Sequence, residues 1–258
     1  QLRSELKRQG IEKDTYIIYM TDNGRPFPRS KTRLYDSGIR TPSLIARPGT
    51  IAPAETRSLI SSIDISATIL ELAGAKKDKR IQGVSFAPIL ENPKATVRDY
   101  VFAEHNWHVY QAHERMVRWK DWVLIRNAYP HLQNLCMEGD PSHPAGAELW
   151  KMHAAGKLNK NQLDIFQKPR PALELYDLSK DPHQLRNLAA DKKYAAEISQ
   201  LTQLLDRWAE DTGDTIPKNP TPNRQTPEGK RFKGWKHGTQ PGTSRGATKI
   251  NHPGPVQE

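Results

Sequence analysis

Two oxygen-bearing side chains, Asp22 and Asn23, follow directly after an apolar segment. Thr15–Met20 (TYIIYM) is apolar, aromatic and β-branched, which is typical of a strand buried on both faces, and Thr21–Gly24 (TDNG) comes next. In an open parallel sheet, ligands collect at the carboxyl ends of strands. A carboxylate beside a carboxamide supplies hard oxygen ligands for calcium or magnesium. The alternative interpretation is an ordinary Asp-Asn-Gly turn that binds nothing.

A proline-rich loop with four cations follows this turn. It contains Arg25, Arg29, Lys31 and Arg33. Such a concentration of positive charge attracts anionic groups. For at least two of the three arginines, a solvated position on the loop is the better interpretation. The loop therefore predicts an anion close to only part of this charge.

A pair of histidines forms the second candidate cluster. His105 and His108 lie three residues apart in Glu104–His108 (EHNWH), at the exit of a predicted strand. This irregular setting does not support a metal site. From the residues alone, they are interpreted as surface histidines beside a packed tryptophan.

The elements that position these residues change in character along the chain. The first part contains a second short apolar strand and a helical pattern with polar residues near its start. From Arg98 onward, short alternating runs separated by polar turns predict an antiparallel sheet, and a strongly amphipathic helix follows. The predicted strands are Thr15–Met20, Pro42–Ala46, Tyr100–Glu104, Glu114–Arg118, Trp122–Asn127 and Glu174–Leu178, and the predicted helices are Leu2–Gln9, Ser62–Ala73, Ala147–Ala155 and Tyr194–Trp208.

The predicted fold class is α/β, with the end of a mixed, mostly parallel sheet and a smaller C-terminal antiparallel sheet with a packed helix. Parallel strands need crossover connections, and the sequence offers few, so the N-terminal half of the fold is expected to be absent. The expected divisions are 1–97 for the closing section of the α/β domain, 98–211 for the antiparallel subdomain and 212–258 for a basic Pro/Gly-rich tail that is mobile or wrapped over the domain.

Composition narrows the classes of partner. The chain of 258 residues has 39 Lys and Arg against 29 Asp and Glu, a formal net charge of +10. This favours an anionic partner, whether nucleic acid, an anionic membrane or a sulfated or phosphorylated substrate. Residues 213–258 carry eight cations against three acidic residues, half of the excess. No apolar stretch is long enough to span a membrane, and the single cysteine, Cys136, excludes an internal disulfide.

Residues 21–49 (TDNGRPFPRSKTRLYDSGIRTPSLIARPG) resemble the sulfatase family of the alkaline phosphatase superfamily. In that family an Asp-Asn pair at a strand end is followed by a loop Lys or Arg and then by a Tyr-x-x-Gly-x-Arg-x-Pro run. Residues 62–74 and 174–189 are also similar to later family segments, so the resemblance covers roughly residues 1–210. The loop after Asn23 and the stretch from Ala155 to Arg170 look most like the N-sulfoglucosamine sulfohydrolase (sulfamidase) branch.

The resemblance implies hydrolysis of a sulfate ester or an N-sulfate on a sulfated, glycosaminoglycan-like sugar. Asp22 and Asn23 would be metal ligands, for Ca²⁺ or alternatively Mg²⁺, and Lys31 would be the catalytic cation that contacts the transferring sulfuryl group. Arg25, His105 and His108 would bind substrate, with Trp107 as a stacking surface. For the two histidines, the alternative of surface residues beside a packed tryptophan stays open. Family members use a formylglycine made within a Cys/Ser-x-Pro/Ala-x-Arg motif, which this sequence lacks. We therefore expect a fragment of a longer enzyme, inactive alone, whose formylglycine comes from the absent N-terminal part.

Two alternatives stay open at this point. A phosphomonoesterase or phosphonate hydrolase of the same superfamily would use nearly the same metal and charges. A basic polyanion-binding module would use the tail around Lys230–Lys236 (KRFKGWK). For the sulfatase, no nucleic acid partner and no membrane span are expected. The family implies a periplasmic, secreted or lysosome-like location.

Overall fold

The computed structural model describes residues 1–241 and 252–257, which form a mixed α/β fold with antiparallel sheets. The two sheets have two and four strands. Within the described residues, the helices are α1 (Leu2–Arg8), α2 (Asp36–Ile39), α3 (Asp64–Leu72), α4 (Ala87–Glu91), α5 (Pro144–Ala154) and α6 (Ala195–Thr212), and the strands are β1 (Ile17–Met20), β2 (Ser43–Ala46), β3 (Tyr100–His108), β4 (Tyr110–Trp119), β5 (Trp122–Asn127) and β6 (Leu173–Asp177).

The first two strands form a small sheet of their own. β1 and β2 pair antiparallel, with Ile18 opposite Ile45. The predicted strands therefore exist, but they pair antiparallel and not parallel with each other, and the predicted burial of β1 on both faces is wrong. Tyr19 is 58% exposed and Leu44 is 66% exposed. The chain between the strands folds back as a loop, so they run in opposite directions. No other strand of the described chain pairs with them.

The remaining strands form the predicted antiparallel sheet, in the order of the chain. Met116 of β4 lies opposite Ile125 of β5, and Leu124 of β5 lies opposite Leu175 of β6. β3 and β4 are connected only by Val109, whose φ of +69° is uncommon for a β-branched residue. The hairpin tip at Val109 places the end of β3, with both candidate histidines, at one end of the sheet.

The sheet is covered on both faces, whereas alternating apolar residues alone predict one covered and one solvated face. On one face, Leu201 and Leu205 of the predicted helix α6 pack against Leu124 in the main core cluster. On the other face, Leu34 and Tyr35 of the segment before α2 pack in a second cluster of buried residues. The members of this second cluster are Leu34, Tyr35, Met116, Val123, Ile125 and Tyr176. The sheet therefore holds the basic loop in place.

The described parts of the basic tail are wrapped over the folded chain. Gln225 is 5% exposed, and its Nε2 donates hydrogen bonds to the hydroxyl of Tyr110 (3.0 Å) and to the carboxylate of Asp140 (2.7 Å). The backbone N–H of Asp99 donates to the carbonyl of Val256 (2.8 Å). Of the two expected states, the described segments therefore show the wrapped one. In the part of the chain that the structure describes, no helix has the length and apolar character needed to cross a membrane.

Candidate functional site

The loop after β1 is closed by two glycines. The N–H of Gly24 donates to the carbonyl oxygen of Gly38 (2.8 Å), which joins the two ends of the loop. A Cβ atom at Gly24 would lie 2.0 Å from the carbonyl oxygen of Ser37, so no other residue fits without movement of the backbone. The Asp22–Asn23 turn and the basic loop are thereby held in one compact unit.

Asp22 and Asn23 present oxygen atoms that the described chain leaves free. Asp22 is exposed, and its carboxylate has no hydrogen-bond or ion-pair partner among the described residues. The Nδ2 of Asn23 donates to the carbonyl of Gly24 (2.9 Å), and no described residue donates to its Oδ1. These two oxygens suit a hard divalent cation. They would supply only part of its six to eight ligands, and the described chain contains no group of three or more His, Cys, Asp or Glu placed to hold a metal.

Two of the loop arginines are held by contacts within the fold, Arg29 half-buried and Arg33 buried, so the expectation that at least two are solvated is wrong. Arg29 pairs with Asp164 (2.8 Å) and lies 3.8 Å over the ring of Tyr35. Arg33 is 3% exposed and donates a hydrogen bond to the Oδ1 of Asn134. Both guanidiniums meet carboxylates or carbonyls from distant segments, which local sequence does not reveal. Only Arg25 is exposed.

Arg25 does not lie with the predicted histidines. Its side chain lines a cavity of about 370 Å³ together with Phe27 and His183, and neither His105 nor His108 lines that cavity. A larger cavity of about 620 Å³ shares the lining residue Arg29 with it and is also lined by Tyr35 and Glu174. Burial raises the pKa of Glu174, against the hydrogen bonds that it accepts from Tyr176 and Tyr35.

The strongest electrostatic feature near the histidines is the buried carboxylate of Glu114. Its Oε2 lies 2.9 Å from the Nδ1 of His105, and its Oε1 accepts a hydrogen bond from Arg170 (3.0 Å) and lies 3.7 Å from Arg33. Burial alone would raise the pKa of Glu114, but Arg33, His105 and Arg170 hold that pKa well below its usual range. Glu114 is therefore ionised and fixes the orientation of the His105 ring.

His108 is subject to electrostatic effects of several neighbouring groups. Burial lowers the pKa of His108, Glu138 opposes this effect, and His105 and Lys31 lower the pKa further. His108 is thus neutral near pH 7. The Nε2 of His105, the Nδ1 of His108 and the Oε2 of Glu138 are buried and have no hydrogen-bond partner in the described chain. Buried polar atoms without partners are uncommon and mark a place where a polar ligand can bind.

Lys31, His105, His108 and Glu138 thus form an electrostatically coupled group, in which Glu114 orients the ring of His105. Such a group can hydrogen-bond a polyhydroxylated sugar and neutralise an anionic substituent. Asp22 and Asn23 make no hydrogen bond or ion pair to it. Sequence reasoning did not find Glu114 and Glu138. Glu114 lies on a predicted strand, and only its polar type at an inward-facing position could have indicated its burial.

A protein-family model matches the part of the chain that contains this site. Residues 29–140 match the family model described as N-sulphoglucosamine sulphohydrolase, C-terminal. The matched segment contains Lys31, His105, His108, Glu114 and Glu138.

Curated relatives are sulfatases that are longer than this chain. An ulvan-active sulfatase of Formosa agariphila is 32% identical over 254 residues, which are 96% of this chain and 41% of the relative. The human N-sulphoglucosamine sulphohydrolase is 27% identical over 231 residues, which are 81% of this chain and 44% of the relative. The chain therefore spans about two fifths of the length of these relatives.

Solved structures with a similar fold include BT4656 in complex with its substrate D-glucosamine-2-N,6-O-disulfate. That match has a TM-score of 0.59 at 23% identity and covers 81% of this chain and 37% of the other. The phosphonate monoester hydrolase of Agrobacterium radiobacter has a TM-score of 0.52 at 20% identity, covering 80% of this chain and 37% of the other. At these identities the likeness concerns the fold.

Proposed function

The chain belongs to the sulfatase family, since residues 29–140 match the model for the C-terminal region of N-sulphoglucosamine sulphohydrolase, and on this premise we propose a function. The protein hydrolyses a sulfate ester or an N-sulfate on a sulfated, glycosaminoglycan-like sugar. The observation that carries the proposal is the group formed by Lys31, His105 and His108. It combines a positive charge with buried ring nitrogens that have no partner in the described chain.

Lys31 is proposed as the catalytic cation. In a pocket shielded from water, a fixed ammonium stabilises the negative charge that develops on the oxygens of the sulfuryl group as the bond to the sugar breaks. His105 and His108 are proposed to hydrogen-bond the sugar. Because His108 is neutral near pH 7, it can accept a hydrogen bond from a hydroxyl group and does not compete with Lys31 for the sulfate. Arg25 is proposed to contact a more remote part of the substrate from the exposed face of the loop.

Asp22 and Asn23 are proposed to supply two of the oxygen ligands of a divalent cation, with Ca²⁺ expected and Mg²⁺ as the alternative. When bound, such an ion would add positive charge next to the sulfate oxygens. The nucleophile is expected to be a formylglycine. The sequence has no Cys/Ser-x-Pro/Ala-x-Arg motif, so the formylglycine would have to come from outside this sequence of 258 residues. A periplasmic, secreted or lysosome-like location is proposed from the family alone.

The test is release of sulfate by the full-length protein with calcium present. The substrates are N-sulfoglucosamine, glucosamine 6-sulfate, an aryl sulfate and a phosphonate monoester. Calcium-dependent release of sulfate from a sugar would support the proposal. Lys31→Ala should then lower kcat for this reaction about 10²–10³-fold. Lys151→Ala is the matched control, because Lys151 is an exposed lysine on α5. Faster cleavage of the phosphonate than of every sulfate would instead favour the phosphonate hydrolase.

A further inference from the structure

The tail and the hairpin of β3 and β4 together form an aromatic surface. The rings of Trp107 and Trp235 are stacked with centroids 5.1 Å apart, and the ring of His237 lies edge-on to both, at 5.4 and 4.5 Å. Both indole N–H groups donate to the carbonyl oxygen of Pro222, each at 3.0 Å. The polar edges of the two indoles are therefore already satisfied, and ring faces are what this surface offers to a ligand.

Positive charge surrounds these rings. The guanidinium of Arg224 lies 5.6 Å from the centre of the Trp107 ring, and its buried Nε has no hydrogen-bond partner in the described chain. Residues 216–240 contain six Lys or Arg and a single acidic residue, Glu228. Within the described residues none of these six cations forms an ion pair. The exposed ones within six residues of Trp235 in the sequence are Lys230, Arg231, Lys233 and Lys236. We call the rings and these cations the tail surface.

The tail surface is attached to the hairpin that carries His108. Trp107 immediately precedes His108, and the backbone N–H of Arg224 donates to the carbonyl of Val109 (2.7 Å) at the hairpin tip. The N–H of Gln111 donates to the Oδ1 of Asn223 (2.7 Å) and fixes the tail to β4. Because successive side chains of a strand point to opposite faces, a chain-like ligand with one sugar at His108 would pass around the end of the hairpin to reach the rings and the cations of the tail.

We propose that the tail surface is an extended subsite that binds the neighbouring sugars of a sulfated polysaccharide. Ring faces of tryptophan accept the apolar face of a sugar ring, and the free cations accept sulfate or carboxylate groups repeated along the polymer. The inference rests on the proposed function, which it deepens: the substrate is a chain of several sulfated sugars and not a single one.

The experiment measures binding of size-defined sulfated oligosaccharides, from a disaccharide to an octasaccharide, to the full-length protein. The variant Lys233→Gln/Lys236→Gln/Trp235→Ala is expected to bind the octasaccharide about ten-fold more weakly and the disaccharide within about two-fold of the parent protein. Its octasaccharide binding should also depend less steeply on salt. The control variant Lys76→Gln/Lys79→Gln removes two exposed lysines from the loop after α3 and should change neither value.

Two results would overturn the inference. One is unchanged octasaccharide binding in the triple variant. If the triple variant fails to fold, unchanged binding in Lys233→Gln/Lys236→Gln, which alters only exposed side chains, has the same meaning. The other is equally tight competition by a single-stranded oligonucleotide of the same charge, which would indicate a general polyanion surface. The proposed function is tested separately. A protein that binds octasaccharide through this surface but releases no sulfate would contradict the hydrolysis and support the subsite.

Discussion

The Nδ1 of His105 lies 2.9 Å from the Oε2 of Glu114, so a buried carboxylate on β4 orients an imidazole on β3. This contact leaves the Nε2 of His105 as the atom that can face a ligand, and that atom has no partner in the described chain. Because Glu114 also binds Arg170 and lies near Arg33, the position of the ring depends on a network of buried charges and not on one hydrogen bond.

Replacement of Glu114 by glutamine should destabilise the protein strongly. The variant keeps the shape of the side chain but leaves Arg33 and Arg170, both about 3% exposed, without their shared anion. We expect the free energy of unfolding to fall by about 3–5 kcal/mol, as measured by urea denaturation. The control is Glu104→Gln, since Glu104 is half-exposed and lies 3.5 Å from Arg115; it should cost about 0.5 kcal/mol. A similar, small loss in both variants would contradict the network.

The same carboxylate should make stability depend on pH. The pKa of Glu114 in the folded protein lies well below its ordinary value of 4.5, so the unfolded chain binds the proton more readily. The stabilisation is fully present above that ordinary value and is lost progressively as the pH falls below it, toward the folded pKa. Urea denaturation across the acid range should therefore show a steeper loss for the parent protein than for Glu114→Gln. Parallel curves would exclude this contribution.

The titration of His108 should report the charge of Lys31. Burial lowers the pKa of His108, Glu138 opposes this effect, and His105 and Lys31 lower the pKa further. Lys31→Met removes a positive charge, so the pKa of His108 should rise, whereas Glu138→Gln should lower it. The measurement is an NMR titration of the imidazole Cε1–H signal, assigned with His108→Gln. Lys151→Met is the control and should leave the signal unchanged. An unshifted pKa in Lys31→Met would mean that the two side chains are not neighbours.

Local sequence patterns predicted the parts of the fold that depend on local periodicity. The alternating runs of β3, β4, β5 and β6 and the apolar stripe of α6 were found, because the face that each presents is set by its own spacing. The exposure of β1 was not predicted, because burial depends on which surface lies over the strand. The antiparallel pairing with β2 likewise depends on the path of the connecting loop.

The candidate site divides in the same way. Lys31, His105 and His108 were predicted from residue type and from the family resemblance, and the structure places Lys31 and His105 in the electrostatic surroundings of His108. The contact of Arg33 with Glu114 joins a loop to a strand far along the chain, and no local pattern encodes it. The roles of Lys31, His105 and His108, like those of Asp22, Asn23 and Arg25, stay predictions.

Gly38 should not tolerate a side chain. A Cβ atom there would lie 2.2 Å from the carbonyl oxygens of both Ser30 and Arg33, so Gly38→Ala must displace the basic loop. We expect a loss of about 3 kcal/mol or more in the free energy of unfolding, by analogy with other overpacked sites. Gly10→Ala is the control. Nothing lies within 4 Å of an added Cβ at Gly10, and only its φ of +74° opposes the change, at about 1 kcal/mol. Equal losses in the two variants would contradict the close packing of the loop.

The ion pair between Asp64 and Arg98 should resist replacement by apolar residues. Asp64 is fully buried at the start of α3, and its two oxygens accept hydrogen bonds from the Nη2 (2.6 Å) and the Nε (2.7 Å) of Arg98. They also accept hydrogen bonds from the backbone N–H groups of Val84 (2.7 Å) and Ser61 (2.8 Å).

Asp64→Asn leaves the buried guanidinium without an anion and should lower the free energy of unfolding by about 3–5 kcal/mol. Many buried ion pairs can be exchanged for apolar residues at little cost, but Asp64→Leu/Arg98→Leu would leave two backbone N–H groups without an acceptor. We therefore expect the double variant to stay destabilised. The control is Arg8→Gln, which removes an exposed ion pair and should change the free energy of unfolding by less than about 0.5 kcal/mol. Recovery of the parent stability in the double variant, measured by urea denaturation, would show that the backbone contacts of Asp64 contribute little.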